Sequence, residues 1–184
     1  MKTIITCLFI LCTLTACGQK NQSNTNSQTI SWGGKAAVGG YAPEGTLQIK
    51  DIQATLDGNT LLNLKVTIDM KSLDQENKQL KKHLKEKDFF HVKKYPEAIY
   101  ELSQPFVVGV DTHFKGNMTI KDKTQTEKIP IQASLENGVI TLILNHRMNR
   151  IDYGITYNSP SVFEKIKENA IADEIQLKGT IVIK

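Results

Sequence analysis

The chain has 184 residues, of which 40% are apolar and 23% are charged, and its formal net charge is +4. This length fits one domain, and the apolar fraction suffices for a packed core, which excludes a wholly disordered protein. The basic excess is too small to favour a nucleic-acid binder. The three cysteines all lie within residues 1–17, so a disulfide framework and a cysteine-rich zinc site are excluded for the body of the protein.

Residues 1–16 are typical of a bacterial signal peptide. Lys2 gives a positive start, and the apolar stretch 4–14 is too short for a comfortable transmembrane helix. The stretch runs into Leu14-Thr15-Ala16-Cys17, which resembles a lipobox. This pattern predicts cleavage before Cys17 and acylation of its new N-terminus, whereas the alternative is an ordinary secretory signal with a chance cysteine.

Residues 17–29 are interpreted as a lipidated, flexible tether and residues 30–184 as the domain. The polar run 18–28 contains no apolar residue and cannot form a core. Position 18 is Gly rather than Asp, which favours the outer membrane over the inner one in lipoproteins like those of enteric bacteria. We therefore expect the protein in the bacterial cell envelope, anchored on the periplasmic side.

The body of the chain is dominated by the period-two alternation of half-buried strands. The alternating runs cover residues 62–70, 110–121, 129–135 and 175–183, and the run 139–144 is nearly continuous apolar and predicts a strand covered on both faces. Turn signals at 57–59 and 137–138 separate such runs. Between Leu47 and Leu56 the phase slips, which predicts a bulge near Lys50-Asp51.

Two segments predict helices instead. Residues 74–87 are rich in helix formers, with a narrow apolar stripe that includes Leu80 and Leu84. The lysines of this segment fit a solvated helix face better than an anion-binding patch. A second helix is predicted from Ser161, because Ser161 to Glu164 has the pattern of a capping box.

No arrangement of residues predicts catalysis. His83 and His91 are eight positions apart, which does not place them on one helical face, and we predict that neither binds metal. His113 and His146 are expected in strands, on or near polar faces. Arg150 and Asp152 fit a structural ion pair at a strand end better than an acid/base pair, because arginine does not release its proton.

About eight short antiparallel strands with one apolar face close into a barrel or pack as a sandwich. A barrel of about eight strands has an interior that holds one elongated ligand or is filled by its own side chains. The strand pattern leaves these two alternatives open.

Several motifs resemble the YceI-like family of lipocalin-like, polyisoprenoid-binding proteins. They lie in residues 30–40, 83–96, 116–121, 150–154 and 171–175. The segment 83–96, with its His-Leu, Asp-Phe-Phe and Tyr-Pro elements, is the most specific of them. The resemblance runs from about Ile30 to Lys184, in order. The chain departs from it at Tyr41, near which the family often has histidine, and at His91, where it has aspartate.

The resemblance implies an antiparallel, lipocalin-like barrel with a long apolar channel for an isoprenoid or similar lipid, quinone-like or polyprenyl, and no catalysis. Together with the two helical segments, the expected fold is a barrel of about eight strands with two short helical inserts, and we expect no metal or other cofactor. Methionine suits such a wall, because it adapts to irregular shapes. The inward sets give the candidate ligand contacts Leu64, Val66, Ile68, Met70, Phe114, Met118, Ile120, Ile129, Ile131, Leu177 and Ile181.

Phe89, Phe90 and Tyr95 predict a packed plug at the helix end, or alternatively the channel mouth, and Phe89 is counted among the candidate contacts.

The sequence and the resemblance leave two classes of function open. The first is a lipid-anchored protein that binds a long-chain lipid in the envelope, and the second is an envelope scaffold or stress-related domain that acts through protein partners. Copurifying lipid separates the two.

Overall fold

The computed structural model of the protein describes residues 19–22, 28–163 and 170–184. Most of these residues form antiparallel strands, which are β1 (Gln19–Gln22), β2 (Thr29–Gly33), β3 (Glu44–Asp57), β4 (Thr60–Asp74), β5 (Glu97–Leu102), β6 (Phe106–Val107), β7 (His113–Ile120), β8 (Lys123–Glu136), β9 (Val139–Asn149) and β10 (Glu174–Ile183). Helix α1 (Lys78–Lys85) lies between β4 and β5, and a 3-10 helix (Arg150–Tyr153) follows β9.

Eight of the strands close into a barrel. They follow the order β3-β2-β10-β9-β8-β7-β5-β4, and β4 pairs with β3 to complete the circle. All of these pairings are antiparallel, so each barrel strand has a neighbour on both sides. The predicted antiparallel barrel of about eight strands is confirmed. Strand β1, which lies within the segment predicted to be a tether, pairs with β3, and β6 pairs with the start of β4.

The two ends of the barrel differ in their connections. At one end, called the helix end here, α1, the 3-10 helix and the loop 34–43 join the strands. At the other, called the hairpin end, the turns 58–59 and 137–138 and the segment 103–112 join them. Asn137 and Gly138 both have positive φ, at 50° and 80°, as the predicted tight hairpin requires.

Alternation along the strands separates the core from the surface. In β7, Phe114, Met118 and Ile120 are buried, while His113 and Lys115 are exposed. The same inward alternation recurs around the barrel, so the apolar side chains converge on its axis.

The register between β3 and β4 explains why the inward side chains of β3 change from one phase of the alternation to the other. Ile49 pairs with Ile68 and Asp51 with Thr67, so Lys50 is the extra residue of the predicted bulge, which is confirmed. A second irregularity shifts the start of β4. Leu62 was predicted to face inward with Leu64, but it is exposed because Leu56 pairs with Leu61 and Thr55 with Asn63. The inward prediction for Leu62 is therefore wrong.

Two other strand predictions need correction. Val110 was assigned to the start of a strand, but it lies in a turn after β6 with 72% of its surface exposed, and β7 begins at His113. Residues 139–144 were predicted to be covered on both faces. Ile140 and Leu142 are buried, but Ile143 is 47% exposed on the outside of the barrel, because a closed barrel covers one face of each strand only.

The predicted helix 74–87 is shorter in the structure, because β4 continues to Asp74 and Asn77 caps α1 with its side-chain oxygen at the amides of Gln79 and Leu80. The second predicted helix is not present at its start, since Ser161 lies in a turn. The continuation of the predicted helix, from Glu164 to residue 169, lies outside the described residues.

Candidate functional site

A cavity of about 210 Å³ lies inside the barrel. Inward side chains of all eight barrel strands build its wall, and side chains from α1 and the loop after it close part of the helix end. An apolar cavity of about 150 Å³ is sufficient to hold benzene. The barrel interior therefore has room for a segment of hydrocarbon chain.

All of the candidate ligand contacts named from the sequence line this cavity. They are Leu64, Val66, Ile68, Met70, Phe89, Phe114, Met118, Ile120, Ile129, Ile131, Leu177 and Ile181. That each of them contacts a ligand stays a prediction.

Sequence reasoning missed part of the wall. Ile30 and Trp32 line the cavity from β2, and the alternation within residues 28–33 is a signal that would have found them. Tyr100 lines it from β5. That strand has only six residues and carries apolar side chains in both phases, so its inward face was not evident.

The cavity approaches the surface at the helix end. Lys35, Tyr41 and Glu174 are exposed and also contribute to the lining. Tyr41 is 55% exposed, and the neighbouring Val38 is 62% exposed. The loop 34–43 and the start of β10 thus form an apolar rim, called the mouth here, with a lysine and a glutamate on it.

Aromatic side chains fill the space under α1. The Phe89 ring lies 5.3 Å from the His83 ring and 5.2 Å from the Tyr157 ring, centroid to centroid. Phe89 and Phe90 both line the cavity, so this cluster belongs to both the plug and the wall. Tyr95 was predicted to join it but instead contacts His91 and Lys94, because the chain turns away at His91, where φ is 49°.

Arg150 is a buried structural cation. Its guanidinium donates to the backbone oxygens of Ala172, Ile155 and Ile171, at 3.0, 2.5 and 2.8 Å. Its acidic partner is Asp173, at 3.4 Å, and not Asp152 as predicted. The two side chains face different ways, since Asp152 is exposed whereas Arg150 is 1% exposed. Burial lowers the pKa of Arg150, and its carbonyl contacts join Ile155 and the pair Ile171 and Ala172 to the barrel.

A polar cluster interrupts the apolar wall near the helix end. The Glu127 carboxylate accepts a hydrogen bond from the Tyr153 hydroxyl at 2.6 Å, and its other oxygen lies 3.0 Å from His146 Nε2. Tyr153 is fully buried and His146 is 6% exposed. His146 was predicted on or near a polar face, but it shares its phase with Leu142 and Met148 and faces inward. The hydrogen bond with Glu127 offsets the free-energy cost of burying the His146 imidazole.

Two buried polar atoms of the wall have no hydrogen-bond partner among the described residues, Trp32 Nε1 and the Tyr100 hydroxyl. Both rings lie over glycines of neighbouring strands. A Cβ on Gly45 would be 2.6 Å from Trp32 Nε1, and a Cβ on Gly116 would be 2.5 Å from the Tyr100 hydroxyl. Burial raises the pKa of Tyr100, and the Glu127 carboxylate raises it further.

The structure describes no group of three histidine, cysteine, aspartate or glutamate side chains that could hold a metal ion in residues 28–163 and 170–184. The absence of a metal at His83 and His91 stays a prediction. None of the described helices has the length and apolar character needed to cross a bilayer.

This architecture, a closed eight-stranded antiparallel barrel around a mainly apolar cavity, defines a lipocalin-like β-barrel fold. The family model of the YceI-like domain matches residues 21–183, and the chain belongs to this family.

Three known proteins are similar to this chain. A UPF0312 protein of Staphylococcus epidermidis is 29% identical over 127 residues, which cover 62% of this chain and 70% of that protein. The crystal structure of BcnA from Burkholderia cenocepacia matches with a TM-score of 0.64 and 21% identity, over 85% of this chain and 96% of BcnA. A polyisoprenoid binding domain from Saccharophagus degradans matches with a TM-score of 0.64 and 8% identity, over 91% of this chain and 98% of that domain.

Proposed function

We propose that the protein binds an isoprenoid or similar long-chain lipid, of the quinone or polyprenyl type, inside its barrel and that it catalyses no reaction. The observation that carries this proposal is the cavity of about 210 Å³, whose wall contains the apolar residues of all eight strands. The description of the Saccharophagus degradans domain as polyisoprenoid binding supports the choice of ligand class.

The energetics of such a site need no polar motif. Each methylene-sized unit that leaves water contributes about 0.8 kcal/mol, so a chain of several isoprene units gains affinity from burial alone. Met70 and Met118 lie in the wall and adapt to the irregular shape of a branched chain. A chain longer than the cavity extends through the mouth, where Val38 and Tyr41 supply further apolar surface.

We further propose that the protein is anchored in the bacterial cell envelope. The lipobox-like sequence that ends at Cys17 supports acylation of this residue, and Gly18 favours the outer membrane. Both positions lie outside the described residues. Anchoring keeps the barrel on the periplasmic side, near the lipids that it binds.

The experiment that tests lipid binding is mass spectrometry of an organic extract of the natively purified protein. We expect a stoichiometric isoprenoid or quinone lipid. Purified protein without any copurified lipid, together with no uptake of added polyprenol, would favour a scaffold domain that acts through protein partners.

A further inference from the structure

The loop between β2 and β3 stands free of the barrel at the mouth. It folds back on itself, since the Ala36 amide donates to the Tyr41 carbonyl oxygen at 2.7 Å. All residues from 37 to 42 are exposed. A Cβ on Gly39 or Gly40 would have no neighbour within 4 Å. The tip of the loop therefore projects into solvent.

This tip carries large apolar side chains. Val38 is 62% exposed and Tyr41 is 55% exposed. Phe163, which is 47% exposed, lies at the same end of the barrel. Its segment is fixed there by the amide of Ile171, a lining residue, which donates to the Asn158 carbonyl oxygen at 2.8 Å. Exposed apolar residues that are grouped beside a cavity opening mark an interaction surface, whereas scattered ones do not.

The adjoining side of the helix end is basic. Residues 78–94 contain seven lysines and two acidic residues, a charge of +5 in a chain whose net charge is +4. In α1, Leu80 and Leu84 line the cavity, while Lys78 and Lys82 are exposed on the opposite face. The lysines of this segment whose amines make no ion pair or hydrogen bond with any described residue are Lys78, Lys82, Lys87 and Lys93.

Acidic neighbours reduce this charge without cancelling it. Asp74 and Glu76 lie just before α1, and counting both leaves an excess of +3 over residues 74–94. Asp74 already pairs with Lys81 at 2.5 Å. The α1 side of the mouth therefore attracts an anionic surface, and the free lysines are the groups that would contact it.

Apolar side chains at a projecting tip, with unpaired lysines beside them, are the features of a protein surface that binds a membrane. We propose that the helix end docks on an anionic lipid bilayer. The tip with Val38 and Tyr41 enters the headgroup region, where the amphipathic tyrosine ring is well accommodated, and the lysines of α1 and the loop after it contact the phosphates. The sequence favoured a solvated face for these lysines, and their place beside the mouth gives that face a partner.

This docking goes beyond the proposed lipid binding, because it concerns the outer surface of the barrel and requires no ligand inside it. It is also distinct from attachment through Cys17, since β1 starts at Gln19 beside Leu56, near the hairpin end. Docking would bring the mouth against a bilayer, from which a lipid could pass into the cavity.

The test is cosedimentation of residues 18–184 with phosphatidylcholine vesicles that contain or lack phosphatidylglycerol. This part of the chain contains every strand of the structure but neither the predicted signal peptide nor Cys17. Circular dichroism confirms that each variant is folded. A lysine near an anionic membrane surface contributes about fivefold in affinity, so we expect binding to the anionic vesicles to be at least about tenfold tighter than to the neutral ones.

The lysines are tested by Lys78→Gln/Lys82→Gln, which should weaken binding to anionic vesicles at least about tenfold, while glutamine keeps the helix propensity of lysine. The matched control is Lys115→Gln/Lys128→Gln. It removes two exposed lysines that are paired across β7 and β8, and it changes the net charge equally. This control should bind as the unsubstituted protein does.

The tip is tested by Val38→Ser, which should weaken binding at least about threefold, because a valine side chain no longer leaves water. Val110→Ser is its control, since Val110 is 72% exposed at the hairpin end and should not contact the bilayer.

Several results would overturn the inference. Equal effects of the helix-end variants and their controls, or equal affinity for the two kinds of vesicle, would show that this surface does not recognise an anionic bilayer. Self-association that Val38→Ser abolishes, without vesicle binding, would assign the surface to a second copy of the chain. Absence of vesicle binding from a protein that still copurifies with lipid would reject docking and leave the proposed lipid binding intact.

Discussion

At the scale of single residues, buried polar side chains make structural contacts that the apolar pattern of the sequence does not predict. Arg150, 1% exposed, joins three backbone oxygens of the segment after the 3-10 helix. Asp173 lies 3.4 Å from it. Burial acts to raise the pKa of Asp173, but hydrogen bonds from Ser159 and Ser161 and the charge of Arg150 outweigh it and lower the pKa. This network holds the residues directly before β10, Ile171 to Asp173, against the barrel.

Replacing Arg150 with leucine should therefore destabilise the fold strongly. Each carbonyl left without a donor costs about 1–3 kcal/mol, so we expect a loss of at least about 3 kcal/mol in the free energy of unfolding, measured by urea denaturation. Arg147→Leu, on the preceding strand β9, is the control. Its side chain is 66% exposed and pairs with Glu174 at 3.4 Å, and its loss should cost less than about 1 kcal/mol. Equal losses in the two variants would contradict this role of Arg150.

The raised pKa of Tyr100 gives a pH dependence with a defined sign. The folded state keeps the phenol neutral, whereas the unfolded state ionises near pH 10, so this contribution to stability is complete below about pH 10 and is lost as the pH rises further. Tyr100→Phe should reduce the alkaline slope by up to about 1.4 kcal/mol per pH unit. Urea denaturation at a series of pH values between about 9 and 11 measures it, and identical slopes for variant and wild type would show that Tyr100 does not contribute.

At the scale of elements, register decides which side chains reach the cavity. The phase slip in β3 was visible in the sequence, because Leu47 and Ile52 fall in opposite phases around the bulge at Lys50. The irregularity beside Leu62 was not visible, since Leu62 continues the alternation of β4 without a break. Its outward orientation depends on the partner strand, and one sequence contains no direct signal of strand register.

The same reasoning applies to the site. The apolar wall of β4, β7 and β8 could be predicted, because long alternating runs mark an inward face. The polar cluster could not. Glu127 and His146 share the phase of the inward apolar residues of their strands, but their polarity suggested a polar face, and their pairing depends on β8 and β9 lying side by side. Arg150 had a visible acidic neighbour in Asp152, but its actual partner, Asp173, comes from a distant segment.

Close approach of elements makes Gly45 the least replaceable glycine of the barrel wall. A Cβ there would lie 2.0 Å from the Asp74 carbonyl oxygen and 2.6 Å from Trp32 Nε1. Backbone has to move, so Gly45→Ala should cost about 1–3 kcal/mol despite the better strand propensity of alanine. Thermal unfolding of Gly33→Ala gives the comparison, since its nearest neighbours would be 3.9 Å away. The expectation is wrong if both substitutions shift the midpoint equally.

At the scale of the whole molecule, the proposed lipid binding and the proposed membrane anchoring depend on different parts of the chain. The interior provides an enclosed apolar volume, and the helix end provides its mouth, rimmed by Lys35, Tyr41 and Glu174. The proposed attachment to the envelope would depend on a different part of the chain, the sequence before the barrel. Binding and anchoring should therefore be separable by substitution.

Cys17→Ala tests this separation. We expect the wild-type protein in the membrane fraction, because two or more acyl chains give stable attachment, and the variant in the soluble fraction. The variant should bind lipid as the wild type does, since β2 to β10 form the cavity. Fractionation followed by immunoblotting measures the distribution. Membrane association that survives Cys17→Ala would reject acylation of this residue as the anchor.

The central claim is that the apolar interior holds the lipid, and paired substitutions in β7 test it. Met118 lines the cavity, whereas Lys115 is exposed on the opposite face of the same strand. Aspartate at position 118 would either ionise at a large desolvation cost or take up a proton, so it should oppose an apolar chain there. Lys65 on β4 is a poorer control position, because it pairs with Glu101 at 2.9 Å.

The deciding measurement is equilibrium binding of farnesene to wild type, Met118→Asp and Lys115→Asp, with the folded fraction of each protein determined by circular dichroism. We expect folded Met118→Asp to bind at least about a hundredfold more weakly than wild type, which corresponds to about 3 kcal/mol, and Lys115→Asp to bind as wild type does. Equal affinity of the two folded variants would show that the lipid lies outside the barrel interior and would contradict the account.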